Sequence, residues 1–169
     1  AGHCAWSDAA GLHRQRYWSP RFDEGPKDFA SAKQEFLRLL RDAVKAQLDG
    51  STPACFLSGG TDSSTVAGLL AQESGSKPLS YSIGFEAEGY DEMAYARLAA
   101  RHFGTDHREH YITPADLVRL IPKLAQHHDQ PFGNSSALPT YFCALKAHED
   151  GVTRLLAGDG GDELFGGNT

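Results

Sequence analysis

Ser58-Gly59-Gly60-Thr61-Asp62-Ser63-Ser64 is the stretch on which the reading of this chain turns. The apolar run Ala54-Cys55-Phe56-Leu57 before it reads as a buried strand, and Thr65 to Ala71 after it as a helix packed on a sheet. A strand, a glycine turn and a helix N-terminus make an anion cradle, because unpaired backbone N–H groups and the helix dipole point at one spot. Gly59 and Gly60 let the backbone approach a phosphate, while Ser58, Ser63, Ser64 and Thr61 add hydroxyl donors. Asp62 is out of place among phosphates unless a divalent cation sits between them. With no lysine in the loop, it is not the P-loop that cradles and cleaves a β–γ bond. A serine-capped helix after a glycine turn accounts for Ser58-Gly59-Gly60 alone, but not for all seven residues.

Outward from this loop, strands alternate with helices. Upstream, Phe29, Phe36, Leu37, Leu40, Val44 and Leu48 recur at helical spacing between Lys27 and Leu48. Downstream, the pattern predicts a helix over 62–73, a strand over 79–85, a helix from Asp91 to Phe103 and a strand from His107 to Ile112. Thr113-Pro114-Ala115-Asp116 combines an N-cap, a proline at N1 and an acid at N3, and opens a helix to about Gln126. A loop over 129–136, a helix over 138–149 and a fourth strand, Val152 to Ala157, follow. The alternation implies an α/β fold: an open parallel sheet with helices on both faces. Residues 1–26 show no periodicity and read as a linker or the remnant of a preceding domain, with 27–169 as the N-terminal portion of the main domain. The chain ends soon after Gly161 with no closing element, which reads as a fragment.

A second constellation, Gly158-Asp159-Gly160-Gly161-Asp162-Glu163, sits just past the fourth strand. A dinucleotide-binding GxGxxG needs glycine where Glu163 stands, and an EF-hand needs a different spacing of acids. Three acids on a glycine-rich turn at the carboxyl end of a strand remain. Ligands bind at that edge of an open parallel sheet, and Ser58–Ser64 occupies the same edge. Asp62 and Asp162 are thus placed to meet one Mg²⁺ from opposite sides of a triphosphate. Taken alone, the turn reads equally as an Asp/Gly cap on the next helix.

The length of 169 residues suits one domain, and no apolar run approaches the ~18 residues of a membrane span. A net charge of −6 without a Lys/Arg cluster argues against nucleic acid or an anionic membrane as partner. The scattered Cys4, Cys55 and Cys143 form neither a disulfide framework nor a metal motif, which suits a reducing cytoplasm. His127 and His128 are adjacent and diverge on a helix. His107 and His110 face opposite sides of a strand, so neither pair suits shared ligation. Cys55 and Cys143 read as packing residues.

Ser58 to Ser64 match SGGxDSS, and the segment resembles the pyrophosphate-binding loop of the ATP pyrophosphatase (PP-loop) superfamily. The double serine most resembles the synthetase domain of glutamine-dependent asparagine synthetases. Ala157 to Gly167 resembles that family's second signature, departing from it in Ala157 for the usual serine. That departure puts one side-chain contact to the nucleotide in question. Weaker resemblances lie at Arg16-Tyr17-Trp18, Ser82 to Phe85, Tyr90-Asp91-Glu92, Asp106-His107 and Asp129 to Gly133.

The resemblance implies an adenine-nucleotide alpha-hydrolase-like fold and a set of roles. Leu57 and Ile83 would flank adenine, Gly158 would contact the nucleotide, and Ser58, Gly59, Gly60, Asp62, Ser63 and Ser64 would hold pyrophosphate. Asp62 and Asp162 would bind Mg²⁺, and Asp159 would stand where the family has an acid important to an acyl-adenylate step. The implied reaction uses ATP, a carboxylate such as aspartate, and ammonia. It forms an amide and releases AMP and pyrophosphate. A glutaminase domain is expected upstream in the parent protein, and a catalytic lysine beyond Thr169. Open alternatives are a related amidotransferase, a β-lactam- or macrocycle-forming cyclase, and a nucleotide-binding fragment without turnover. A homodimer is left open. As a truncated piece, the chain is expected to expose Val152 and Leu155 to solvent or to another copy.

Overall fold

The structure is a computed structural model that describes residues 2–22, 25, 28–85, 92–131 and 133–167. Lys27, Tyr90, Asp91 and Phe132, on which some sequence expectations fall, lie outside the described residues. The chain divides into two compact units, residues 1–35 and 36–169.

In the first unit, β1 (His3–Asp8) and β2 (Gly11–Arg16) form an antiparallel hairpin, in register from His3–Arg16 to Asp8–Gly11. The hairpin lies within residues 1–26, where the sequence shows no periodicity. Almost every residue of the hairpin is exposed, so no buried face imposes an alternation a sequence reader could see. The turn is held by Asp8, whose carboxylate accepts from Ala10 N–H (2.8 Å) and lies 2.9 Å from His13 Nε2. The Trp6 and His13 rings stack across the strands.

The second unit carries the parallel sheet. Helix α1 (Phe29–Lys45) leads to β3 (Ala54–Phe56), α2 (Thr61–Glu73), β4 (Leu79–Phe85), α3 (Met93–Phe103) and β5 (Asp106–Ile112). Helices α4 (Pro114–His127), α5 (Ala137–Glu149) and the short α6 (Gly161–Phe165) follow. The strand order is β3-β4-β5, all parallel. At the head of α4, Thr113 and Asp116 make the reciprocal capping box that their spacing predicts, with Pro114 in the first turn.

Both faces of the sheet are covered, as the near-continuous apolar character of β3 requires. On one face Leu57 packs with Val44 of α1, Leu70 of α2 and Ala96 of α3. On the other, Tyr81 packs with Cys143 and Ala147 of α5, while Ile112 packs with Leu120 of α4 and Phe142 of α5. Tyr81 is 1% exposed, and its hydroxyl donates to Asp150 at 2.8 Å. Burial therefore raises its pKa, reinforced by the Asp150 carboxylate.

The expected fourth strand shrinks to one bridge, Cys55–Leu156, in which Phe56 N–H donates to Leu156 O and Leu156 N–H to Ala54 O, both at 2.9 Å. The apolar run of Val152–Ala157 serves side-chain burial more than a ladder. Val152, expected to face solvent, is buried at 5% exposure in the cluster around Tyr81, and Leu155 packs against the same cluster. This short parallel contact delivers Gly158–Glu163 to the carboxyl edge of β3, directly beside the loop that leaves β3.

Candidate functional site

The loop after β3 is braced by its own hydroxyls. Ser63 Oγ accepts from Ser58 N–H (3.2 Å) and donates to Gly60 O (3.3 Å). Ser58 Oγ lies 2.9 Å from Ser63 Oγ and accepts from Gly60 N–H at 3.3 Å. Gly59 has φ +88°, and a Cβ there would fall 2.5 Å from Ala96 N on α3. Glycine is thus required twice over, by conformation and by the approach of α3. Gly60 caps α2 in extended conformation and its carbonyl accepts from Ser64 N–H at 3.0 Å, which sets Asp62 in the first turn at the positive end of the helix.

The second turn packs directly onto that helix end. A Cβ on Gly158 would lie 2.8 Å from Asp62 Cβ and 3.1 Å from Ser63 N, and one on Gly161 would lie 2.6 Å from Asp62 Cγ. Two segments separated by about a hundred residues of sequence are therefore in van der Waals contact only because the second turn carries glycines. Asp162 lies in the first turn of α6, and its carbonyl accepts from Gly166 N–H at 2.8 Å.

Three cavities among the described residues touch this edge. One, of about 630 Å³, lies between α1, α2 and the second turn and includes Asp62, Arg154 and Gly158. The other two meet at the end of β3. One of these two, of about 580 Å³, is lined by Ser58, Asp62, Ser63, Gly158, Asp159, Asp162 and Glu163, with Phe56, Thr140, Ala157 and Gly160. No lysine or arginine is among its lining residues. The other, of about 210 Å³, is mainly apolar and is lined by Leu57, Ile83, Phe85, Met93, Ala96, Pro139 and Cys143 among others. Phe56, Ser58 and Thr140 line both, so the cavities meet at the end of β3.

The apolar cavity also has a polar edge. In the parallel ladder, Leu79 N–H donates to Pro53 O and Leu57 N–H to Tyr81 O, whereas Asp106 N–H donates to Pro78 O. Odd-numbered residues of β4 thus direct their backbone groups toward β3, and even-numbered residues toward β5. Ile83 is the next odd residue, one step past the last rung. Its N–H and C=O point past the end of β3, where no described backbone group receives them. A donor and an acceptor side by side in an apolar slot match the edge of a purine base.

Of the residues singled out in sequence, Leu57, Ser58 and Ile83 line the apolar cavity. Ser58, Asp62, Ser63, Gly158, Asp159 and Asp162 line the polar one. Gly59, Gly60 and Ser64 line neither. The two glycines shape the loop, and Ser64 Oγ is buried without a hydrogen-bond partner among the described residues. Thr140, on the first turn of α5, and Phe56 are lining residues that sequence reasoning missed. Neither stands in a motif, and only the packing of α5 over β3 brings Thr140 to the cleft.

The donor set suits Mg²⁺ held with phosphate: hard carboxylate and hydroxyl oxygens, without sulfur or imidazole. Asp62 and Asp162 are the carboxylates on opposite turns. Among the described residues no group of three or more His, Cys, Asp and Glu side chains could hold a metal alone, so phosphate oxygens would complete such a site. Elsewhere, His107 and His110 fall on opposite sides of β5, one bonded to Ser80 and the other against Phe142. Burial lowers the pKa of both. Burial pushes the Cys55 and Cys143 thiols up to about 12, which makes them packing groups rather than nucleophiles.

With this geometry in place, comparison with known proteins is decisive. Residues 35–169 match the asparagine synthase family. The chain belongs to that family. It is 39% identical over 162 residues to a Methanocaldococcus jannaschii protein provisionally named a glutamine-hydrolysing asparagine synthetase, covering 95% of this chain and 31% of the relative. It is 36% identical over 129 residues to the glutamine-hydrolysing asparagine synthetase 1 of Bacillus subtilis, covering 76% of this chain and 20% of the relative. The chain thus spans a third or less of the curated relatives it matches. Among solved structures, NMN synthetase from Francisella tularensis shares the fold, with a TM-score of 0.50 at 17% identity, covering 69% of this chain and 50% of that one. The α/β fold of the asparagine synthase family is therefore established for this chain. No helix among the described residues is long and apolar enough to cross a membrane.

Proposed function

We propose that this chain supplies the ATP site of an amide-forming synthetase that releases AMP and pyrophosphate. The observation that carries the reading is the contact between Asp62 and the Gly158–Gly161 turn, which joins two acidic, glycine-rich segments at one cavity beside an apolar slot. Adenine would occupy the apolar slot, with Leu57 and Ile83 beside it and the Ile83 backbone along its edge. The triphosphate would cross Ser58 into the polar cavity, where Ser58, Gly59, Gly60, Ser63 and Ser64 define the loop around pyrophosphate. Asp62 and Asp162 would hold Mg²⁺, which neutralises the departing pyrophosphate when bound. A cavity with four acids and no basic residue supports a bound cation, since phosphates would otherwise be repelled.

The reaction this arrangement suits begins with attack of a substrate carboxylate oxygen on the α-phosphorus. The bond to the pyrophosphate oxygen breaks and an acyl-AMP remains. Ammonia then attacks the acyl carbon, the bond to AMP breaks, and a proton is lost. Aspartate and glutamine-derived ammonia are the substrates proposed from the family. The Ser58 and Ser63 hydroxyls position the phosphates, and Asp159 faces the cavity where the acyl group would be activated. A glutaminase domain before residue 1, residues 1–26 as the segment leading to residues 27–169, and a cytoplasmic setting consistent with three free cysteines complete the proposal. A narrower reading, nucleotide binding without turnover by this chain, is favoured by the lack of a basic residue along the polar cavity.

Incubating the protein with Mg-ATP, aspartate and ammonia and quantifying products separates these readings. AMP and pyrophosphate in equal amounts with asparagine support the synthetase. Mg-ATP binding without products supports the narrower reading, and ADP with phosphate overturns both.

A further inference from the structure

We propose that Ser82 is a positioning residue that ends the β3–β4 ladder one rung short and so keeps the Ile83 N–H free to read a purine base. The inference rests on the nucleotide reading above and adds a specificity residue to that site. By the alternation of the ladder, the rung after Leu57 N–H to Tyr81 O should run from Ile83 N–H to Leu57 O. That rung is missing. Leu57 O instead accepts from the Ser82 hydroxyl, a bond made inside the protein by a side chain that is 5% exposed.

The consequence is local and specific. Leu57 O is a buried carbonyl and needs a donor, because an unsatisfied buried acceptor is costly. Two groups on β4 are candidates for it: the Ser82 hydroxyl, which makes the bond, and the Ile83 N–H, which the alternation of the ladder assigns to it. While Ser82 supplies the bond, Ile83 N–H stays directed at the apolar cavity that Ser82, Ile83 and Leu57 line together. Without the hydroxyl, the carbonyl is satisfied most simply by closing the next rung. That closure would remove the backbone donor of β4 that is aimed at an acceptor nitrogen of the base, and the slot would discriminate that nitrogen less. A serine here is thus a substitute rung that holds the base-reading edge open.

The test uses the whole 169-residue chain, wild type and Ser82→Ala, with two readouts. Amide hydrogen exchange at Ile83, normalised to the ladder-bonded Tyr81, reports the rung without ligand. It should slow at least about tenfold in the alanine variant, as expected for a newly bonded amide. Calorimetry with AMP and with 1-deaza-AMP, which lacks the acceptor nitrogen, reports base reading. Wild type should prefer AMP about tenfold, the scale of one neutral hydrogen bond, and the alanine variant less than about twofold. Ser82→Thr should restore both values. Ser80→Ala removes another buried hydroxyl of β4, bonded to Thr105 and His107, and should leave both readouts as in wild type. Should the alanine variant not fold, Ser82→Cys, a weaker donor, should give intermediate exchange and preference. Unchanged Ile83 exchange and unchanged preference in a folded Ser82 variant overturn the proposal, as does an equal response to Ser80→Ala. Wild type that binds no AMP overturns the nucleotide reading instead, while the exchange measurement still decides whether Ser82 holds the ladder open.

Discussion

The two cavities at the end of β3 share Phe56, Ser58 and Thr140 yet are built on opposite principles. The apolar one is a gap in packing. Its walls are core side chains such as Leu57, Met93 and Ala96, and the backbone of one strand that has run past its neighbour adds to the polarity of Ser58, Glu92 and Thr140. The acidic one is a gap between two turns, held at contact distance by glycines that admit Asp62. The first therefore depends on the stability of the whole sheet. The second depends on a few backbone positions and on the charge that neutralises its acids. Changes in one should consequently be separable from changes in the other.

The largest separation should come from Gly158→Val. The added side chain must displace Asp62 or the second turn, since a bare Cβ already falls 2.8 Å from Asp62 Cβ. Overpacking of this kind typically costs 1–3 kcal/mol. We expect Mg-ATP binding to fall by about a hundredfold, counting the lost metal geometry, with adenosine binding within about threefold of wild type. Equal losses for both ligands in calorimetry would break the distinction between the cavities.

Asp62→Asn keeps the shape and removes a charge. Mg-ATP affinity should fall by about tenfold to thirtyfold, and AMP affinity by less than about twofold, because AMP lacks the phosphates that reach the metal. If omitting Mg²⁺ abolishes the difference between the two proteins, the charge acts through the cation. If the difference survives without Mg²⁺, Asp62 is not a ligand.

The converse change is Phe85→Ala, at the wall of the apolar cavity and in the cluster with Ile112, Leu120 and Phe142. ATP and AMP should weaken together, by about fivefold, and the melting temperature should fall by several degrees as a large apolar group leaves a half-buried site. An effect on ATP alone would show that the base does not lie there.

Smallest is the effect of pH, which should act on the sheet and leave the balance between the cavities unchanged. Burial lowers the pKa of His107 and His110 from the usual value near 6.5, with Lys146 adding to the effect at His110. For a histidine held neutral in the fold, stability is fully present above about pH 6.5. It is lost as pH falls below that value toward the folded pKa. Melting temperature should thus drop between pH 7 and pH 5.5, and His110→Phe should reduce that drop by about 2 °C. A drop that is unchanged in this variant removes His110 as a source.

Reading the sequence succeeded where chemistry and periodicity were local. The limits of β4, the capping box at Thr113–Asp116 and the two acidic glycine-rich segments all follow from neighbours along the chain. The hairpin His3–Arg16 was not legible, because its strands bury no face and so carry no alternation. Periodicity misled at Val152–Ala157, where β-branched and leucine residues are used for burial against Tyr81 and the backbone pairs only at Leu156. Thr140 escaped notice because a threonine in the first turn of a helix has no signature of its own.

The sequence by itself determined that the chain alternates strands and helices, that Ser58–Ser64 opens a helix after a buried strand, and that acids accompany glycines at both turns. Those features depend on residue type and spacing, which are properties of a linear string. Only the tertiary structure decided that Asp62 rests against Gly158 and Gly161, that Thr140 joins the two cavities, and that Ser82 takes the carbonyl meant for Ile83. Each of these depends on where one strand stops relative to its neighbour. That register is set by packing on both faces of the sheet, across separations that no local pattern encodes.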